Sequence, residues 1–158
     1  MGKLPTIVDR GTVVTEAAAI CAYLADRNPK ANLAPAVDDP KRGAYYRWLF
    51  FGAGCLEWAV LDKALERTVP AEKSGMIGYG TYDTTINTLA AAVKDSPFLL
   101  GEQFTAADVY VGAQIEWGIQ FGTVEADPEF TDYMKRFQLR DGYKKFATAR
   151  DSMMADLK

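Results

Sequence analysis

The chain carries no histidine, and its only thiols are Cys21 and Cys55. Without an imidazole, Ser-His and Cys-His nucleophilic pairs, His-based zinc sites and the commonest general base are all unavailable. The two cysteines lie too far apart for a Cys-x-x-Cys redox pair and read as small hydrophobes buried within helices. No metal site is expected. Chemistry here must rest on carboxylates, hydroxyls, backbone N–H groups or a bound small molecule.

Two segments gather such groups at the start of a helix. At Thr15-Glu16-Ala17, Thr15 is positioned to N-cap a helix and Glu16 to lie against its N-terminal dipole. At Thr105-Ala106-Ala107-Asp108, a hydroxyl at the cap and a carboxylate three residues on make a capping box, which satisfies two free backbone donors reciprocally. Phe104 and Val109 occupy the hydrophobic-staple positions around that box.

The elements that hold these segments follow from patterning. Residues 3–14 read as a hairpin: β-branched residues flank a turn at Asp9-Arg10-Gly11. Ala17, Ile20, Cys21 and Leu24 give the next helix its apolar stripe, and Asn28-Pro29 ends it. Lys30 to Asp38 has no periodicity and reads as a linker. From Asp39 onward the pattern is helical. A long helix is expected from about Pro40 to Glu66, apolar on nearly every side between Tyr45 and Leu61, so it must be covered all round, either as a central core helix or as an interface helix. Gly52 and Gly54 within it are tolerable where they admit a close neighbour or a bend. Tyr82, Ile86, Leu89, Ala90 and Val93 mark a further helix ended by Asp95-Ser96-Pro97. Ala106, Val109, Tyr110, Ala113, Trp117 and Phe121 are the expected buried stripe of the helix behind the capping box. A short helix from Pro128 buries Phe130, Tyr133, Met134 and Phe137, and a last one carries Tyr143, Phe146, Ala147, Met153, Met154 and Leu157.

Composition limits the partners. The 158 residues include 18 Lys plus Arg and 21 Asp plus Glu, a net charge of -3. That balance attracts neither nucleic acid nor an anionic membrane. Hydrophobic residues make up 49% and charged residues 25%, an ordinary globular composition that argues against disorder. No apolar run reaches the ~18 residues of a membrane helix, and the start of the chain has no signal-peptide core, so a cytoplasmic location is expected.

The order Gly2-Lys3-Leu4-Pro5, Thr15-Glu16-Ala17 and Tyr23-Leu24-Ala25-Asp26 resembles the second half of the N-terminal domain of the glutathione S-transferase family, bacterial type. Phe98-Leu99-Leu100-Gly101 to Thr105-Ala106-Ala107-Asp108 resembles that family's capping-box segment, and Arg140-Asp141-Gly142-Tyr143 falls where the family opens its final helix with Arg-Pro. The resemblance implies a mainly α fold: a partial, β-β-α thioredoxin-like domain at residues 1–29, a linker at 30–38 and an all-α C-terminal domain at 39–158. Members commonly read Asn-Pro-Met-Gly-Lys-Val-Pro, which matches Met1 to an internal methionine and implies a chain beginning partway through the thioredoxin-like domain.

The same resemblance implies glutathione as co-substrate. Pro5 is expected to be cis, the backbone of Leu4 to pair with the cysteinyl part of glutathione, and Glu16 with Ala17 to hold the γ-glutamyl carboxylate at a helix N-terminus. The family's usual hydroxyl after the glutamate is replaced by Ala17, which leaves only its backbone N–H. Lys3 is a candidate for the glycyl carboxylate, and Tyr45, Trp48 and Phe51 for a second, apolar substrate pocket. No residue corresponds to the family's catalytic Tyr, Ser or Cys, so no catalytic residue is expected. The implied partners are glutathione, an apolar electrophile and a second copy of the chain in a homodimer. The implied function is glutathione conjugation when the N-terminal half-domain is present, with the chain as given inactive. A non-catalytic helical interaction module and a glutathione-independent carrier of apolar ligands are the alternatives.

Overall fold

Thr6–Asp9 (β1) and Thr12–Thr15 (β2) pair antiparallel, with Thr6 opposite Thr15 and Asp9 opposite Thr12, in a computed structural model that describes residues 2–156. The two-residue loop has both φ angles positive, 50° at Arg10 and 81° at Gly11, the sense of turn that matches the twist of a hairpin. Ile7 and Val14 face inward, whereas Val8 and Val13 are exposed.

Thr15 does not cap the following helix. Its pairing with Thr6 keeps it in the ladder, and Glu16 becomes the cap residue of α1 (Ala17–Arg27), with φ 66° and ψ 115°. Asn28 closes α1 by donating its side-chain N–H to the Leu24 carbonyl at 2.8 Å. The segment leading to the bundle is tied at both ends. The Ala106 N–H donates to the Leu33 carbonyl at 2.7 Å. Buried Arg42 donates to the Pro35 carbonyl (2.8 Å), Asp26 (2.7 Å) and the Tyr46 hydroxyl (2.8 Å). One guanidinium thus fastens hairpin-side and bundle-side segments together, a role that periodicity does not reveal.

The expected long helix is continuous but not uniformly α. It comprises α2 (Lys41–Phe51), a π-helical turn at Gly52–Leu56 and α3 (Glu57–Ala64). The widened turn begins where the chain passes another helix closely: a Cβ on Gly52 would lie 2.9 Å from the Tyr110 ring and 3.2 Å from Val111. Gly54 has open space around it and meets no such neighbour. The bundle continues with α4 (Tyr82–Lys94), α5 (Ala106–Gln120), α6 (Pro128–Gln138) and α7 (Asp141–Asp156). Phe130, Tyr133, Met134 and Phe137 of α6 are all buried, as the pattern predicts.

Of the stripe expected on α5, Ala106 is buried and Tyr110 packs against the core, but Val109, Ala113, Trp117 and Phe121 are exposed. The rest of its core side is Ala107, Asp108, Val111, Gly112, Ile115 and Gly118. The cause is close packing of this face against α6 and against the segment that follows α5. A Cβ on Gly112 would come within 3.1 Å of Phe137, and one on Gly118 would collide with the Val124 side chain, so glycine is what fits at those two packed positions. Phe146, Met153 and Met154 of α7 are exposed too. Leu157 and Met1, like Lys158, lie outside the described residues. Among the described residues no helix is long and apolar enough to cross a membrane.

Candidate functional site

The hairpin register puts the two expected glutathione-contacting segments at one end of the ladder. Thr6 faces Thr15, so Leu4-Pro5 and Glu16-Ala17 extend from adjacent strands on the same side. The Leu4-Pro5 peptide is cis. Leu4 is almost wholly exposed, and Lys3 and Glu16 are exposed beside a half-buried Ala17. The Glu16 side chain does not cap α1; its carbonyl receives the Ile20 N–H at 2.9 Å. A non-glycine residue at φ 66° is conformationally costly and persists where the surroundings dictate it. Here the dictate is geometric, because the chain must leave the ladder at Thr15 and enter α1 two residues later.

Tyr110 of α5 packs beside Gly52, where α5 passes the long helix. Its hydroxyl donates to Glu57 at 3.4 Å and accepts from Gln114 Nε2 at 3.1 Å. Burial first, then the nearby Glu57, Cys21 and Glu16, push the Tyr110 phenol far above its ordinary range, so it stays a neutral donor. Burial likewise pushes the Cys21 thiol up, which lowers its thiolate fraction and its nucleophilicity.

The groove beyond Tyr110 has a volume of about 430 Å³ and runs between α3 and α5. Leu56, Val60, Leu61 and Ala64 form one wall, and Gln114, Trp117 and Phe121 the other. Trp117 and Phe121 are 62% and 63% exposed with ring centroids 5.4 Å apart, an aromatic surface open to a ligand. The residues expected to line an apolar pocket lie elsewhere. Tyr45 and Trp48 are enclosed in the core, and Phe51 packs edge-on against Trp48 at 5.3 Å. They point inward because α2 is covered by α1 and α5. The aromatic signal of the groove is present in the α5 sequence, but helical spacing alone assigns it to the core.

A second, larger cavity of about 710 Å³ lies between α5 and α7, walled by Phe104, Val109, Phe137, Tyr143 and Phe146. Arg140 sits over the Phe104 ring at 3.9 Å, and Tyr143 donates its hydroxyl hydrogen to Glu116 there. Beneath it, the capping box is assembled as expected: Asp108 accepts from the Thr105 N–H (2.8 Å) and hydroxyl (3.1 Å). It also accepts from the Leu99 N–H (2.8 Å) and the Tyr133 hydroxyl (2.9 Å). Asp108 is a structural hub, not a ligand-facing group.

No protein-family model matches the chain. A curated relative, glutathione S-transferase GstA of Escherichia coli O157:H7, is 29% identical over 117 residues, 73% of this chain. Among solved structures, a ternary complex of BphK, a bacterial glutathione transferase, superposes with a TM-score of 0.76 at 24% identity over 94% of this chain and 74% of its own. A sphingomonad glutathione S-transferase complexed with glutathione superposes at 0.74, also with 24% identity, 94% of this chain and 74% of its own. The chain has the fold of these glutathione transferases. It spans 57% of the length of the GstA relative. The partial thioredoxin-like unit followed by a helical bundle is the glutathione transferase fold.

Proposed function

We propose that this chain belongs to the glutathione transferases and docks glutathione at the Leu4-Pro5 and Glu16-Ala17 end of the hairpin and an apolar electrophile in the α3–α5 groove. The observation that carries the reading is the backbone of Glu16. Its positive φ turns the chain so that a carboxylate and the free N–H groups opening α1 occur together, next to the Leu4-Pro5 peptide. Free N–H groups and the dipole at a helix start favour an anion such as the α-carboxylate of the γ-glutamyl residue. The Glu16 carboxylate suits the neighbouring ammonium, and the Leu4 backbone suits the peptide of the cysteinyl residue. On this reading exposed Lys3 meets the glycyl carboxylate.

On this reading residues 1–29 carry the tripeptide and 39–158 the electrophile, with 30–38 as linker. The family reaction forms a sulfur–carbon bond from a glutathione thiolate while the electrophile gives up its leaving group or accepts the electron pair. A thiol has a pKa near 8.5, so the reaction needs a donor that stabilises sulfur as the anion. No side chain of this sequence takes that role, and the chain by itself docks without activating. A second copy is proposed to cover the aromatic pair Tyr46 and Phe50, whose rings stand 6.5 Å apart on α2 with Phe50 72% exposed.

Glutathione titration followed by NMR tests the docking site. A dissociation constant on the order of 1 mM is expected, with shifts concentrated at Ala17 and Leu4, and Glu16→Gln should weaken it about tenfold. Equal affinity of the two proteins overturns the assignment. Conjugation of a chromogenic aryl halide by the chain should not exceed the reaction of glutathione in buffer.

A further inference from the structure

Of the described residues that line the α3–α5 groove, Glu57 is the one charged group, and it is exposed. Among the described residues it forms no ion pair, and its one side-chain hydrogen bond is the long 3.4 Å contact from the Tyr110 hydroxyl. That phenol, raised by burial and then by Glu57 itself, stays neutral and leaves the carboxylate uncompensated. Helix capping does not account for the charge either. α3 continues α2 through the π turn, so Glu57 stands inside an unbroken helical stretch with no free helix start beside it.

We infer that Glu57 is a specificity-determining residue of the groove, selecting aromatic electrophiles that carry a cationic group. The inference rests on the reading of the groove as the electrophile site. Leu56, Val60 and Leu61 offer apolar wall but discriminate poorly between ligands of one shape, whereas a lone carboxylate favours the ligand of opposite charge. The exposed rings of Trp117 and Phe121 accept an aromatic ligand and also favour a cation over a neutral group. The polar end of the groove is Glu57, joined through Tyr110 to Gln114. Trp117 follows Gln114 by one turn of α5, about 4.5 Å at the helical rise, so a ring bedded on Trp117 reaches that end with a spacer of about two carbons. Water reaches the carboxylate as well, which keeps the preference modest, at about fivefold.

The test compares 2-phenylethylamine, an ammonium ion at neutral pH, with 2-phenylethanol, a neutral probe of the same length that also carries a donor. Each is titrated into the 158-residue chain and followed by NMR at the Trp117 indole, in the wild type, Glu57→Gln and Glu102→Gln. Glutamine keeps the shape of glutamate and an acceptor for Tyr110, and Glu102 is an exposed acid that lines no part of the groove. The wild type and Glu102→Gln should prefer the amine about fivefold, and Glu57→Gln should bind the two probes within about twofold of each other. Raising salt from about 20 mM to about 500 mM should bring the wild-type preference below about twofold as well. A preference that survives in Glu57→Gln or in high salt overturns the inference, as does its loss in Glu102→Gln. Equal binding of both probes by the wild type sinks this inference alone. If neither probe moves the Trp117 signal, the groove is not the apolar site and both readings fall.

Discussion

Tyr133 of α6 reaches across to the cap of α5 and donates its hydroxyl hydrogen to Asp108 at 2.9 Å, with both side chains fully buried. The bond joins two helices through the residue that also caps one of them and holds the Leu99 N–H. Burial pushes the Asp108 carboxyl up while its four donors pull it down; burial and the adjacent Asp108 push the Tyr133 phenol well up.

Asp108→Ala strands two buried backbone donors and two hydroxyls, so it should cost about 3–5 kcal/mol. Tyr133→Phe removes one bond and should cost about 1–2 kcal/mol. In urea unfolding, the double variant should cost less than the sum, since the Tyr133 hydroxyl has no bond left to lose once Asp108 is gone. Strict additivity would contradict a shared hub.

Tyr45 has a buried hydroxyl without a partner, and burial pushes its phenol up to about 12. Tyr45→Phe should therefore stabilise by about 1 kcal/mol at neutral pH. The folded chain holds the phenol proton more tightly than the unfolded one, which ionises near 10. Stability from this group is complete below pH 10 and is lost as pH rises toward 12. The advantage of Tyr45→Phe should widen by about 1.4 kcal/mol per pH unit across that window. Denaturant midpoints of both proteins at pH 7, 10 and 11 check the sign.

Gly118→Ala gains about 1 kcal/mol of helix propensity but drives a methyl into the Val124 side chain, 2.9 Å from its Cβ and closer still to Cγ2. Valine is stiff at χ1 and cannot swing aside, so the packing loss should prevail by about 1–2 kcal/mol. A raised melting temperature would show that the 118–124 contact yields more easily than its geometry implies.

Glu16→Gly relieves an unfavourable φ and should stabilise by about 1 kcal/mol while weakening glutathione binding. Melting and titration of one sample measure both. Stabilisation with unchanged binding would detach the strained turn from the tripeptide site.

Phe50→Lys should convert a dimer to a monomer at micromolar concentration in analytical ultracentrifugation, because the exposed Tyr46–Phe50 pair would carry a charge into the contact. A wild type that sediments as a monomer would rule the dimer out.

The elements and the capping box are legible in the sequence because they depend on local rules: alternation, turn residues, caps. Which face of α5 meets the core is not. Apolar residues stand on more than one face of that helix, and the decision belongs to close approaches, of Phe137 to Gly112 and of Val124 to Gly118, that bulkier side chains would prevent. For the same reason sequence points to Tyr45 and Trp48 for the apolar site. Their aromatic character is plain there, but not that α1 and α5 cover them. Thr15 resembles a cap because its hydroxyl fits one; its pairing partner, nine positions away at Thr6, overrides that local preference. Arg42, with partners on three segments, has no local signature at all.

The π turn at Gly52–Leu56 holds one residue more than the same length of α-helix would. Each residue of an α-helix advances the side-chain direction by about 100°. The surplus residue thus acts as a phase offset between α2 and α3. Tightening the turn to ordinary winding without shortening the chain would rotate Leu56, Val60 and Ala64 together away from Trp117 and Phe121. A deletion of one residue at 53 or 54, by contrast, should leave both helices in phase and the groove intact. The groove owes its alignment to counting: one position, inserted where Gly52 lets two helices touch, keeps the walls face to face.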